Sequence, residues 1–395
     1  MTRKSGVRRS PVTQTVPRLD AGQKDEEPQT SSEWTVLLKQ AMQEILAVTY
    51  WFDPTPHSEF SPVTVRFSGR RVDGKKAKWQ VGDRFTQDET IEHVVPGSGP
   101  ISVTARVHNI NPGKWSVSAQ ILRSAHAGHG PRKQEAATPS DGSSGPIAWL
   151  WRRWAPNVSS NEAVSTCLTP FAHVPGILPG VWGAMVTLGI AVALTIQFLL
   201  ISVDHLAVGP WWVASLGAIV VGIIGAKLWY IVLYRSIRGW CIQGFITTAI
   251  LMATTLLVVL HVPARVFLDV TAPGLLVAMA VGRVGCFFAG CCGGAPTASS
   301  FGVWSSDQRV GARRIPTQLL ESVLAGILGL LMLVAFLSHG LAGGAYFVGG
   351  LAAYTLGRQG ILHLRAEPRR TKLGGLATSA LATLVLIASV VWLVQ

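Results

Sequence analysis

GVWGAMVTLGIAVALTIQFLLIS, residues 180–202, runs 23 residues without a charged side chain. A helix rises ~1.5 Å per residue, so this run reaches about 34 Å, enough to cross the ~30 Å hydrocarbon core of a bilayer. Six further apolar runs follow, at about 209–234, 241–260, 267–292, 318–338, 342–363 and 373–394. Seven such runs predict an all-α polytopic membrane protein with seven transmembrane helices over residues 171–395.

Outward from these runs, the N-terminal side changes character. Residues 1–32 are rich in Ser, Thr, Pro, Lys and Arg and read as a disordered basic tail. Residues 33–123 read as a small soluble β-sandwich. The segment WTVLLKQAMQEILAVTY, 34–50, suits a short amphipathic helix, although its Thr, Val and aromatic content also fits a strand. VTVRFSG, KWQVGD, IEHVV, ISVTARVHNI and WSVSAQIL then alternate between turn pairs such as Asp73-Gly74 and Pro112-Gly113, as strands do. Residues 124–170 read as a linker and an interfacial segment, whose IAWLWRRWAP suits either a membrane surface or a domain edge.

The chain is 49% hydrophobic and carries a formal charge of +13. Residues 171–395 hold only 13 Lys/Arg and 5 Asp/Glu. So few cations, mostly arginine, in an apolar half point to a lipid bilayer and its anionic headgroups, with no nucleic-acid partner. Cys286, Cys291 and Cys292 lack the paired spacing of zinc sites and have no histidine nearby, so neither a metal nor a cofactor is expected.

Charged groups inside spans are costly and functional by default. Lys227, Arg283 and Arg358 lie late in spans two, four and six, which run the same way, while Gln243 and Glu321 open spans three and five on that same side. Arg283 and Arg358 each fall about 16 residues into their spans, hence at similar depth. Asp269 lies 14 residues before Arg283, roughly 21 Å away near the other face, as a cap or structural partner. Two arginines beside an acid make an anion site, because guanidinium binds phosphate bidentately and keeps its charge. The glycines around Arg283, Gly282 and Gly285 among them, would let a ligand approach the backbone.

VGRVGCFFAGCCGGAPT, 281–297, followed by PTQLLE, 316–321, resembles the signature of the prolipoprotein diacylglyceryl transferases. Gly282, Arg283, Gly285, Phe287, Gly290, Pro296 and Thr297 match its first block, and Pro316, Gln318, Leu319 and Glu321 its second. Tyr354, Arg358 and Arg365 resemble the family's later helix, and Asp269 its upstream acid. The resemblance covers about 171–395. It implies transfer of the diacylglyceryl group of phosphatidylglycerol to a prolipoprotein lipobox thiol, in a bacterial cell membrane. It also implies catalytic Arg283, Arg358 and Glu321. Arg283 would bind the lipid phosphate and Arg358 would stabilise the departing one. Gly282, Gly285, Gln318, Gln243, Tyr354 and Asp269 complete the implied substrate-binding set. Cys286, Ala289 and Cys291 stand where the signature has Asn, Asn and Glu, and Gln243 where it has histidine. A non-catalytic phospholipid-binding scaffold that keeps the anion pocket is the alternative. Lys/Arg counts of the loops place the N-terminus in the cytoplasm, whereas the resemblance places that face outside.

Overall fold

The computed structural model describes residues 43–54, 62–72, 80–122, 150–235, 239–367 and 372–395, apart from residues 153, 156, 159 and 160. The expected tail at 1–32 and the linker composition at 124–147 lie outside these residues.

Seven strands come first: β1 (Glu44–Phe52), β2 (Val63–Arg71), β3 (Arg84–Ile91), β4 (Ile101–Val107), β5 (Lys114–Leu122), β6 (Glu162–Ser165) and β7 (Cys167–Leu168). The helices are α1 (Val181–Val203), α2 (Val208–Tyr234), α3 (Ile242–Val259), α4 (Ala264–Ala289), α5 (Thr317–His339), α6 (Ala345–Ile361) and α7 (Lys372–Val394). Two more strands, β8 (Val303–Ser306) and β9 (Val310–Arg314), lie between α4 and α5.

The strands form two sheets, β7-β1-β4-β9-β8 and β3-β2-β5-β6. Leu46, Val48, Val103 and Ala105 of one and Val65, Phe67, Trp115 and Val117 of the other share one core, so the unit is a sandwich. Residues 44–50 take the strand alternative, not the helix. β1 buries both faces: Leu46, Val48 and Tyr50 enter the core, while Trp51 on the other face donates to Ala155 O at 3.0 Å. β3 occupies RFTQDETI, between the two runs expected to be strands there. Gln80–Asp83 is a turn with Gly82 at φ +94°, and only Ile91 of IEHVV is in a strand. An edge strand with one face in water needs few apolar residues, which hid it. Within the expected linker, β6 pairs with β5 and β7 with β1. The domain-edge alternative fits Trp151, which packs against Trp51 and Trp304.

Among the described residues, six helices are long and apolar enough to cross a membrane, and the chain is a multi-pass membrane protein. The seventh expected span is α6, which has 17 residues and is not among these six. The chain leaves the α-helix there and passes through a 3-10 turn at Leu362–Leu364, bringing Arg365 back towards α5. α4 is central and packs against α1, α5 and α6. Small residues allow the α1–α4 approach: a Cβ at Gly274 would stand 2.6 Å from Ala193 O, and one at Gly189 3.0 Å from Ala278 O. Many large apolar side chains on the outer helix faces are exposed, as lipid contact requires.

The sandwich and the helices share a sheet. β9 pairs with β4, placing Val310 opposite Val103. Trp304 stacks on Trp51 with centroids 5.4 Å apart and donates to Pro100 O at 2.9 Å. The β8–β9 hairpin thus fixes the sandwich on the face where α4 ends and α5 begins.

Candidate functional site

Glu321, near the start of α5, has a fully buried side chain. Three guanidinium groups reach it. Arg283 of α4 places Nε 2.8 Å from Oε2, Arg365 places Nη2 2.7 Å from Oε1, and Arg358 of α6 places Nε 3.8 Å from Oε1. The Tyr354 hydroxyl donates to Oε2 at 3.5 Å. One carboxylate therefore faces three permanent cations, a local excess of two positive charges. Arg283 and Arg365 are mostly buried, with side chains 16% and 13% exposed, while Arg358 is 36% exposed. Arg365 Nε is buried without a hydrogen-bond partner among the described residues. Buried excess charge with an unused donor is an arrangement that can hold an anion.

The loop after α4 frames this cluster. Gly290, at φ +69°, ends the helix in the left-handed conformation. Thr317 Oγ1 donates to Cys292 O at 3.1 Å, and Gln318 Nε2 donates to Cys291 O at 2.9 Å. Gly294 bridges to Arg365, and Ala295 N donates to Leu364 O at 2.9 Å, so the signature loop carries the chain that presents Arg365. On its other side, Arg314 donates to Asp307 Oδ2 at 2.7 Å, and Gln308 Nε2 donates to Ala289 O at 3.0 Å. The first bond closes the β8–β9 hairpin, and the second ties it to the end of α4.

The structure thus brings together Arg283, Glu321, Arg358, Tyr354 and Gln318. Gly282 lies beside them facing open space: a Cβ there would meet nothing within 4 Å. Gly285 is placed differently. Its Cβ would stand 2.8 Å from Met185 Cβ, so it serves the α1–α4 contact and does not open onto a ligand. Asp269 is also elsewhere. Fully buried, it accepts from the amides of Ala342 (2.8 Å), Gly344 (3.0 Å) and Tyr346 (3.3 Å), capping the start of α6. Gln243 is exposed, and its hydrogen bond, from Cys241 Sγ at 3.5 Å, does not reach the cluster. Lys227 lies 4.7 Å over the ring of Trp240. The depth arithmetic located Arg283 and Arg358, but depth says nothing of azimuth, and α2 and α3 present Lys227 and Gln243 elsewhere. Arg365 was visible only through its place after Arg358.

The family profile of the prolipoprotein diacylglyceryl transferases matches residues 172–395. The chain is similar to phosphatidylglycerol–prolipoprotein diacylglyceryl transferase 2 of Clostridium perfringens, 28% identical over 190 residues that cover 44% of this chain and 73% of the relative. It is also similar to the phosphatidylglycerol–prolipoprotein diacylglyceryl transferase of Clostridium tetani, 27% identical over 208 residues, 48% of this chain and 81% of the relative. The match takes in every member of the arginine–glutamate cluster, and the chain belongs to the prolipoprotein diacylglyceryl transferase family.

Proposed function

We propose that this protein transfers the diacylglyceryl group of phosphatidylglycerol to the thiol of a prolipoprotein lipobox cysteine in a bacterial cell membrane, releasing glycerol phosphate. The observation that carries it is the convergence of Arg283, Arg358 and Arg365 on the single buried Glu321, beside open space at Gly282.

A phosphodiester enters with one negative charge and leaves as a phosphomonoester carrying more. The acceptor sulfur bonds to the glycerol carbon that bears the phosphate, the C–O bond breaks, and its electron pair goes to a phosphate oxygen. Cations fixed in advance in a site of low dielectric stabilise that gathering charge without reorganisation. Arg283 is held through Nε on Glu321, and its guanidinium is the cation that would receive the phosphate. Arg358, held more loosely and more exposed, is the cation best able to follow the leaving group. Glu321 and Tyr354 orient the guanidiniums, and Gln318 holds the loop that presents Arg365. The sandwich, docked on this face through β9, stands where a soluble acceptor segment would arrive.

A second function, phospholipid binding without turnover, is favoured by Gln243, which offers no titratable group to accept a proton. Phosphatidylglycerol micelles with a lipobox peptide separate the two. Wild type is expected to add the thioether-linked diacylglyceryl mass, and Arg283→Ala to lose that product by at least 10²-fold while keeping its fold. Full turnover by Arg283→Ala would refute the assignment.

A further inference from the structure

Arg314, the last residue of β9, is a further arginine at the signature loop, with no part yet in phosphate binding or leaving-group stabilisation. It is buried, and its ion pair is with Asp307 of the hairpin turn, not with Glu321. Nη2 donates to Asp307 Oδ2 at 2.7 Å and to Val310 O at 3.3 Å, both within the hairpin. Nη1 donates out of the hairpin, to Gly294 O of the signature loop at 3.5 Å. That bond is long, but its donor is charged and both residues are buried, where such a contact is stronger than in water. The side chain runs beside the loop: a Cβ at Gly293 would stand 3.8 Å from Arg314 Cδ. Burying a charge is costly, and this one joins the hairpin to the loop.

Residues 293–297 lie between two other stretches of chain. Towards β9, Thr297 N donates to Arg313 O at 2.9 Å and Ile315 N to Ala295 O at 3.1 Å. Towards the chain after α6, Ala295 N donates to Leu364 O at 2.9 Å and Ala366 N to Gly293 O at 3.2 Å. Pro296 bridges to Arg314, and Gly294 bridges to Arg365. The hairpin is the fixed side, held by β4 and by Gln308 on the last residue of α4. It also approaches closely, since a Cβ at Gly294 would collide with Ile315 O. Arg365 depends on this support more than its partners do. Arg283 and Arg358 are carried by α4 and α6, whereas Arg365 has extended backbone, φ −76° and ψ 150°, beyond the 3-10 turn.

We propose that Arg314 is a positioning residue for Arg365: by holding Gly294 O from the fixed hairpin, it sets the Gly294–Arg365 bridge and so keeps the Arg365 guanidinium on Glu321. This rests on the transferase function, and no bond of the reaction is made or broken at Arg314. Its effect is felt only through Arg365. A group misplaced by ~1 Å costs ~10²-fold in rate, so a loop released from Arg314 need shift little to matter. The same link gives the sandwich a role, because β4 holds the hairpin from which Arg314 reaches.

The test is a double-mutant cycle in the full chain, with phosphatidylglycerol micelles and a lipobox peptide. Arg314→Met keeps the length of the side chain and removes its donors. It is expected to lower turnover by about 10- to 100-fold in the wild-type background. In an Arg365→Ala background it should change turnover less than about threefold, because the residue it positions is already gone. Arg314→Lys, whose single nitrogen cannot serve Asp307 and Gly294 as the fork does, should fall between wild type and Arg314→Met. Losses that multiply in the double variant would overturn the proposal and make Arg314 a general support of the fold. Undiminished turnover in Arg314→Met would also overturn it. Should Arg314→Met not fold, Asp307→Asn takes its place in the cycle: it loosens the same guanidinium from a part-exposed position and keeps Oδ1, to which the amides of Arg309 and Val310 donate. Where Arg365→Ala leaves no measurable product, the cycle is read on the Kd for phosphatidylglycerol, with the same criterion of additive or non-additive loss. A wild type that binds phosphatidylglycerol and modifies no peptide would overturn the transferase function, while that binding cycle would still decide whether Arg314 acts through Arg365.

Discussion

Replacing Glu321 by Gln removes one charge and almost no volume at the point where α4, α5 and the chain after α6 meet. The carboxylate accepts from Arg283 at 2.8 Å and Arg365 at 2.7 Å, with its side chain fully buried. Removing one partner of a buried ion pair costs ~3–5 kcal/mol. The amide keeps one acceptor oxygen and Arg358 is partly solvated, which puts the cost near the low end, about 3 kcal/mol. For a folded unit of this size, each ~1 kcal/mol lowers the midpoint by ~2–4 °C, so Glu321→Gln should melt roughly 6–12 °C below wild type. Intrinsic fluorescence of the 14 tryptophans in detergent reads this directly. An anion relieves the repulsion between guanidiniums that the variant leaves exposed. Phosphatidylglycerol at a hundred times its Kd adds ~2.7 kcal/mol and should recover most of the loss. A midpoint equal to wild type without lipid would refute the view that Glu321 organises the three arginines. A loss that lipid does not recover would refute the view that their excess charge binds a headgroup phosphate.

Asp269→Asn should lower stability by about 2 kcal/mol, because an amide cannot accept from all three backbone donors. Hydrogen exchange should quicken selectively at residues 342–346. Gly285→Leu should destabilise by at least ~1–3 kcal/mol through collision with Met185, whereas Gly282→Ala should melt like wild type, since its Cβ meets open space. Equal midpoints for the two would contradict the division between a packing and a site glycine. In the sandwich, the Asn111 side-chain amide and the Gln80 backbone amide hold Asp83 below the usual carboxylate range. The stability this confers is present above the unfolded value of ~3.9 and lost as pH falls through the lower folded value. Asn111→Leu should therefore lose stability at neutral pH and show a shallower acid dependence than wild type in pH-dependent melting.

The helices were legible because a run such as 180–202, without charge, has no other stable environment. The approach of Arg283 and Arg358 followed from helix direction and rise alone. Azimuth did not, and so Gly285 and Gln243 were grouped with residues they do not meet. Arg365 reaches Glu321 through a 3-10 turn whose path depends on the bridge from Gly294, a long-range contact that leaves no local pattern. β8–β9 was hidden for a related reason. VWSSDQRVGARR is short and polar and becomes a hairpin only because β4 offers it an edge. Asp269 lies away from the cluster, as its depth implied, but its three amide partners come from the loop before α6 and the first turn of that helix, more than 70 residues later.

The most direct measurement counts products. Wild-type protein, phosphatidylglycerol and a lipobox peptide are incubated, and glycerol phosphate and diacylglyceryl-peptide are quantified together. The transferase function predicts one glycerol phosphate per modified peptide, with both lost in Arg283→Ala. Stoichiometric phosphatidylglycerol binding that depends on Arg283 and yields neither product would contradict it.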